Sequence, residues 1–428
     1  MNAQDCLNFL SQYHAKESPH EGGRHLQVMD ELLKLFKIDV RRFDIVQITG
    51  SCGKGSTATF VSSMLQAANM PHGLFTGPHL IRYEERFSID GKPIASGEFI
   101  DIVSEIAEKT ADYDMSDAGH KHLMTLIAMM WFARKKVPLV IFENGAGGWS
   151  DPSNIFDPVI ACLTEITLEH TQLLGETVTA ITKDKAAIIK DSAMLAVCGM
   201  NNAEARRYLM DLEAIAHTRF SFIHRDYDIR ADGGGLVYQS HQEKISGIEL
   251  GLPGTHQQQN AANALMVIEG LKEIGYRIET GAIIAGLRQA RFPGRLECIQ
   301  WESKELILDG AHNPLELRVL SQNLNRLGVA PKVILISFAS KKNVAEMLKA
   351  LGLSQALYIV APSPFAARQQ SQAAVEAVFT ELNLEFKYYA DVEAAWQAAL
   401  CAADDKLLVT GSLYLVGKVR ELLLASGL

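Results

Sequence analysis

Cysteine is scarce and scattered in this chain. Its six residues (Cys6, Cys52, Cys162, Cys198, Cys298, Cys401) include no C-x-x-C spacing. That excludes a disulfide framework and a zinc site built on paired thiols, and it fits reduced thiols. Positive charge is not in excess either: 41 Lys and Arg stand against 50 Asp and Glu, a formal charge of −9. A general nucleic-acid binder needs the opposite balance to neutralise phosphates, although local basic patches stay open. No hydrophobic run is long enough to span a bilayer; Leu123–Phe132 is short and bounded by lysines and histidines. Met1–Leu10 shows no basic flank followed by an apolar core, so no signal peptide is read there and a cytoplasmic address is expected. Tandem repeats and low-complexity segments are absent as well. What the chain has is bulk: 428 residues, 48% hydrophobic and 21% charged, enough for two or three domains.

The most informative stretch is Ile45-Val46-Gln47-Ile48-Thr49-Gly50-Ser51-Cys52-Gly53-Lys54-Gly55-Ser56-Thr57. A β-prone apolar run enters a turn of small residues, and a helical pattern over Thr57–Met70 leaves it. Backbone N–H groups of such a turn converge at a helix N-terminus, where hydrogen bonding and the helix dipole both favour phosphate. Lys54 would reach the outer phosphates, and Ser56 or Thr57 would offer an oxygen to magnesium. The plainer reading is a strand-to-helix turn with a solvated lysine. The motif is shorter than the usual G-x-x-x-x-G-K-[ST], but the strand before it and the helix after it are the context a phosphate loop requires.

Apolar runs alternate with helical patterns, which predicts an α/β fold. Strands are expected at Ile45–Ile48, Val137–Phe142, Val159–Leu163 and Ala193–Val197, with helices at Gly97–Lys109, His122–Lys135 and Thr177–Lys190. Arg219–Leu252 reads as a β-hairpin excursion and Gln257–Gly275 as one long helix. Breakers in Arg291-Phe292-Pro293-Gly294-Arg295 suggest a linker between an ATP-binding domain (1–292) and a smaller α/β domain (293–428). The rhythm restarts with strands at Leu306–Leu308, Val333–Ser337, Ala356–Val360 and Leu407–Thr410. A cleft between two such domains is the expected place for chemistry.

Several polar residues fall at strand ends. Asp309-Gly310-Ala311-His312-Asn313-Pro314 follows one strand; its aspartate could accept from ribose hydroxyls, and an Asx-type turn is the plain alternative. Glu143 ends another strand and His170 follows a third, a pair suited to magnesium, which keeps few protein ligands. A lone histidine is more often structural, and Lys185 on its amphipathic helix is more often solvated.

Together these motifs resemble the folylpolyglutamate synthase/dihydrofolate synthase family of the Mur ligase superfamily. The similarity runs through Thr49–Thr57, Pro78-His79-Leu80 with Glu85-Arg86, and Glu143 with Gly147-Gly148, Asp151 and Asn154. It continues through His170-Thr171, Lys185-Ala186, His256-Gln257 with Asn260-Ala261, Pro293-Gly294-Arg295, Asp309–Pro314 and Thr410-Gly411-Ser412-Leu413-Tyr414. The resemblance implies a P-loop central ATPase domain with a mostly parallel sheet and a Rossmann-like C-terminal domain. It also implies a reaction in which ATP phosphorylates an acceptor carboxylate and an amino-acid amine attacks the acyl phosphate.

By resemblance, Gly50, Ser51, Gly53, Lys54, Gly55, Ser56, Thr57, Asn260, Arg295, Asp309 and His312 contact ATP. Ser56, Glu143 and His170 hold Mg2+, and Lys54, His170 and Lys185 are catalytic, with Lys185 matching a lysine the family carbamylates. His79, Arg82, Lys121, Trp149, Asp151 and Tyr414 are assigned to substrate. A small-molecule carboxylate and an amino acid are the expected partners, with no nucleic acid and no membrane; a monomer is expected and a dimer left open.

The departures cluster. The family's magnesium-ligating serine is Gly77, and the asparagine of its phosphate loop is Cys52. The loop E-V-G-L-G-G-R-L-D-A-T-N reads Glu143-Asn144-Gly145-Ala146-Gly147-Gly148-Trp149-Ser150-Asp151-Pro152-Ser153-Asn154. An aromatic–glutamate pair becomes Lys121-His122, and D-K-D becomes Lys341-Lys342-Asn343. These changes lead to the expectation of an amide ligase whose acceptor is not a folate. The alternatives are ordinary folate glutamylation, a non-catalytic ATP-binding relative, and a simple phosphotransferase.

Overall fold

The structure is a computed structural model, and it describes residues 1–14, 20–340, 342–364 and 369–427. The chain separates into two compact units. The first comprises Met1–His79, Tyr83–Gly251 and His256–Ala290; the second comprises Leu80–Arg82, Leu252–Thr255 and Arg291–Leu428.

The first unit is built on strands β1 (Asp44–Thr49), β2 (His72–Phe75), β3 (Phe87–Ile89), β4 (Lys92–Pro93), β5 (Leu139–Glu143), β6 (Ile160–Leu163), β7 (Leu195–Cys198) and β8 (Arg219–Phe222). They form one sheet in the order β4-β3-β2-β5-β1-β6-β7-β8. Every pairing from β2 to β8 is parallel, and β3 and β4 add an antiparallel edge. A parallel sheet is covered on both faces, which is why β5, β6 and β7 are apolar throughout and buried at every residue except that β5 ends in Glu143, itself buried.

The helices of this unit are α1 (Ala3–Ser11), α2 (Arg24–Leu35), α3 (Lys54–Ala67), α4 (Ser96–Lys109), α5 (His120–Lys135), α6 (Thr171–Leu174), α7 (Val178–Ala186), α8 (Ala203–Glu213), α9 (His256–Glu273) and α10 (Thr280–Gln289). One core joins α2, α4 and α5 to Phe75, Val140, Phe142 and Phe156. The run Leu123–Phe132 lies in α5, buried along its whole length. Among the described residues no helix is long and apolar enough to cross a membrane.

Residues 219–252 depart from the expected hairpin. β8 joins the large sheet as a parallel edge strand, and β9 (Tyr227–Ala231), β10 (Leu236–Ser240) and β11 (Lys244–Ile248) make a separate three-stranded antiparallel sheet. Inward residues Tyr227, Tyr238, Ile245 and Ile248 are buried, so this small sheet has its own apolar face.

The second unit carries β12 (Glu297–Trp301), β13 (Lys304–Leu308), β14 (Val333–Ile336), β15 (Leu357–Val360), β16 (Phe386–Tyr388) and β17 (Lys406–Thr410). Their order is β12-β13-β17-β14-β15-β16, parallel except for the β12–β13 hairpin. Its helices are α11 (Pro314–Arg326), α12 (Val344–Leu351), α13 (Gln372–Glu381), α14 (Val392–Ala402) and α15 (Leu413–Ala425). They pack two apolar cores, one on each side of the sheet. Asn313 caps α11 by accepting from the Glu316 amide, and Pro314 occupies the first turn, where its missing N–H costs nothing.

Candidate active site

β1 lies between β5 and β6, and the loop that leaves its C-terminal end turns directly into α3. The helix begins at Lys54, three residues earlier than its apolar pattern suggests. Gly53 precedes it in the left-handed region (φ 89°), and no side chain caps the helix. The first amides of α3 are therefore left to an external acceptor, the arrangement that anions complete. A Cβ at Gly53 would stand 2.2 Å from Asn260 Oδ1, so only glycine permits this approach of the loop to α9.

Ser51 is held by its neighbours on the β6 side of the loop. Its amide donates to Glu165 O (2.7 Å), and its hydroxyl donates to Thr167 O and accepts from Thr167 N–H, at 3.1 and 3.0 Å. Its amide and its side chain both brace the loop. Ser56 is buried and accepts from Gln257 Nε2 (3.2 Å), whose carbonyl accepts from Asn260 Nδ2 (2.9 Å). Thr57 Oγ1 is buried with no hydrogen-bond partner among the described residues.

Two lysines converge on Gly50. Lys54 Nζ donates to Gly50 O (2.7 Å) and Ser51 O (3.2 Å), folded back onto the loop. Lys185 Nζ, fully buried, donates to the same Gly50 carbonyl at 2.9 Å and stands 2.9 Å from Glu169 Oε1. Burial, reinforced by the Lys54 charge, pulls the Lys185 ammonium down to about 8, with Glu169 opposing. Burial alone would raise the Glu169 carboxyl, but Lys185 and Lys54 overcome it and hold it below its ordinary range. The solvated reading of Lys185 is thus incorrect, and its ion-pair partner Glu169 is a residue the motif reading missed.

Glu143, 5% exposed at the end of β5, accepts from Gly77 N–H at 3.1 Å. His170 is exposed, not buried, and sits in the left-handed region (φ 46°) before α6. No group of three or more His, Cys, Asp or Glu side chains among the described residues is arranged to hold a metal. A hydroxyl and a carboxylate beside a phosphate cradle nevertheless fit magnesium, which takes one or two protein oxygens and draws the rest from phosphates and water. The buried, unpartnered Thr57 hydroxyl adds a further oxygen at the same turn.

The substrate candidates divide between the two units. His79, Lys121, Trp149 and Asp151 belong to the first, Arg82 and Tyr414 to the second. Lys121 Nζ lies 3.5 Å from Asp151 Oδ2 and donates to Ala146 O at 3.3 Å, while Gly145 N–H donates to that same Oδ2 (2.9 Å). Trp149, 39% exposed, stands edge-on to His25, whose ring bonds the Trp149 carbonyl (2.7 Å). Asp184, also unassigned from sequence, shapes this loop by accepting from the Gly148 and Ser150 amides. His79 accepts from Arg86 Nε (2.9 Å) and packs on Tyr83, which touches His14 and His120.

In the second unit Asp309 accepts from the Leu296 and Ala311 amides (2.8 and 2.9 Å), so the Asx-type turn is present. Burial raises its carboxyl, against the Arg295 charge and those two amides. His312 Nδ1 contacts Gly310 O (3.0 Å) and Glu316 (3.1 Å). Arg295 lies over the Phe292 ring. Tyr414 is in the first turn of α15. Of the altered D-K-D segment, Lys341 lies outside the described residues, and Asn343 caps α12.

Residues 48–268 match the Mur ligase middle domain, and residues 294–413 match the Mur ligase glutamate ligase domain. The chain belongs to the Mur ligase family. Within it, the chain is a member of the folylpolyglutamate synthase/dihydrofolate synthase group. It is 28% identical to the folylpolyglutamate synthase of Lacticaseibacillus casei, over 98% of this chain and 94% of that one. Escherichia coli FolC, solved in complex with DHPP and ADP, superposes with a TM-score of 0.85 at 25% identity, covering 99% and 98%. The bifunctional folylpolyglutamate synthase/dihydrofolate synthase of Yersinia pestis, solved with AMPPNP and Mn, gives 0.83 at 27% identity, covering 98% and 97%. This Mur ligase is an ATP-dependent, ADP-forming acid–amino-acid ligase.

Proposed function

We propose that this ligase adds glutamate to a folate-type acceptor. The observation that carries the proposal is the uncapped start of α3 with Lys54 and Lys185 both drawn to Gly50, a cradle for the phosphates of ATP. Near-full-length similarity to folylpolyglutamate synthases supports a folate acceptor better than the altered acceptor expected from the loop departures.

In this mechanism the acceptor carboxylate oxygen attacks the γ-phosphorus of ATP, giving an acyl phosphate and ADP. The amine of glutamate, with an unperturbed pKa of roughly 8, then attacks the acyl carbon. Phosphate leaves, and the amine gives up a proton as the amide forms. Lys54 exchanges the Gly50 and Ser51 carbonyls for phosphate oxygens, and the α3 amides with Gly50, Gly53 and Gly55 enclose them. Asn260, Arg295, Asp309 and His312 are assigned to ATP.

Ser56, Glu143 and His170 would hold Mg2+, which when bound supplies charge to the transferring phosphoryl group. Lys185 is an ammonium between two acceptors, Gly50 O and Glu169. A carbamate at that position would need a cation between it and Glu169, so no step is assigned to one. His79, Arg82, Lys121, Trp149, Asp151 and Tyr414 are assigned to substrate.

The test is product formation with dihydropteroate or tetrahydrofolate, glutamate and Mg-ATP. The expected result is phosphate release that needs both organic substrates, with one glutamyl residue added by mass spectrometry. A second reading, an acceptor other than folate, is favoured by the Lys121–Asp151 pair and the exposed Trp149. Turnover with a different carboxylate and none with folates would select it.

A further inference from the structure

Asn144 is the residue whose chemistry the mechanism leaves unused. It follows Glu143 at the C-terminal end of β5, and its amide extends the β1 ladder by donating to Ile48 O at 2.9 Å. It is 1% exposed, yet neither Oδ1 nor Nδ2 has a hydrogen-bond partner among the described residues. Native interiors leave few polar atoms in that state, because a buried unpaired group carries its full desolvation cost. A partner that carries a donor and an acceptor side by side would remove that cost.

Position narrows the partner. Strand alternation sets Asn144 on the Phe142 face of β5, away from Glu143. That face is aromatic and is covered by α2 and α5, with Phe75, Phe142 and Phe156 in one core. The adjoining Gly145 is hemmed in by Lys121 and Asp151: a Cβ there would lie 3.0 Å from both side chains. Phosphate supplies only acceptors and would leave Oδ1 unpaired. A free amino acid brings two full charges onto an aromatic floor. A planar heterocycle with adjacent N–H and C=O satisfies both amide atoms at once, as asparagine does with paired donor and acceptor edges.

We propose that Asn144 is a specificity-determining residue that reads the lactam edge of a planar heterocyclic acceptor. The inference rests on the folate-type acceptor proposed above.

The test uses the full chain with dihydropteroate, its N3-methylated analogue, glutamate and Mg-ATP, comparing wild type with Asn144→Val. Wild type is expected to prefer dihydropteroate over the methylated lactam by at least tenfold in kcat/KM. In Asn144→Val the KM for dihydropteroate rises about tenfold and the preference for the unmethylated ring disappears. KM for ATP and glutamate stay within about twofold, and the melting temperature without substrates is unchanged or higher. Asn144→Ser repeats the kinetic pattern if the valine variant fails to fold. An unchanged acceptor KM in a folded variant, or a shift falling on glutamate or ATP instead, overturns the role of Asn144 alone. Absence of any turnover of dihydropteroate by wild type overturns the folate reading, and this role with it.

Discussion

Lys185 shows how a single residue joins stability to chemistry. Its ammonium is fully buried, and Glu169, about a quarter exposed, is its partner. Lys185→Met should lower turnover at least 100-fold, since a fixed cation facing developing phosphoryl charge is lost. It should also cost about 3 kcal/mol in urea unfolding, because removing one member of a buried pair strands the other. Adding Glu169→Gln should recover most of the stability and none of the turnover, a separation that a double-mutant cycle measures directly.

At this scale the sequence was uneven. The phosphate loop was legible because its glycines and lysine are local. The Lys185–Glu169 pair was not, since burial of a helical lysine is a tertiary property that no spacing announces. Asn144 passed without remark in its loop, and only the folded chain reveals that both its polar atoms are enclosed. For Ser51 the loop sequence carries no sign that the Thr167 backbone holds its hydroxyl from both sides.

Among elements, the long strands and helices followed their hydrophobic runs, while short ones were missed. His72-Gly73-Leu74-Phe75 is a four-residue strand with a glycine inside, too brief for a period to register. Residues 219–252 read as a hairpin because alternation identifies strands without telling which sheet they join.

Helix packing gives a second prediction. α3 lies against α9 and α10, and Gly286 of α10 sits where a Cβ would be 2.4 Å from Met64 Cα. Gly286→Ala gains about 1 kcal/mol of helix propensity. The obstruction is backbone, which cannot swing aside, and overpacking of this kind costs about 1–3 kcal/mol. The clash should therefore win, lowering the urea midpoint and, because α3 begins at the phosphate loop, weakening ATP binding in calorimetry.

For the whole molecule, stability should depend on pH through enclosed histidines. Burial, aided by the Arg86 charge, pulls His79 and His120 down to about 3, and burial pulls His122 down to about 4. In the unfolded chain these imidazoles titrate near 6.5, so between those values the unfolded state binds more protons. Stability is then fully present above about pH 6.5 and is lost as pH falls, by up to about 1.4 kcal/mol per pH unit for each proton. Urea midpoints at pH 7.5 and 5.5 check the sign, and His120→Gln should shallow the slope.

The close approach of α10 to α3 has a consequence for the protein's birth on the ribosome. Ser63 Oγ donates to the Gly286 carbonyl across a separation of 223 residues. At ~5–20 residues per second, that interval is about 10–45 s of synthesis. For most of it the flank of α3 that α9 and α10 will cover is exposed, because neither helix has been made. The nascent chain carries its phosphate loop long before it can hold that loop still.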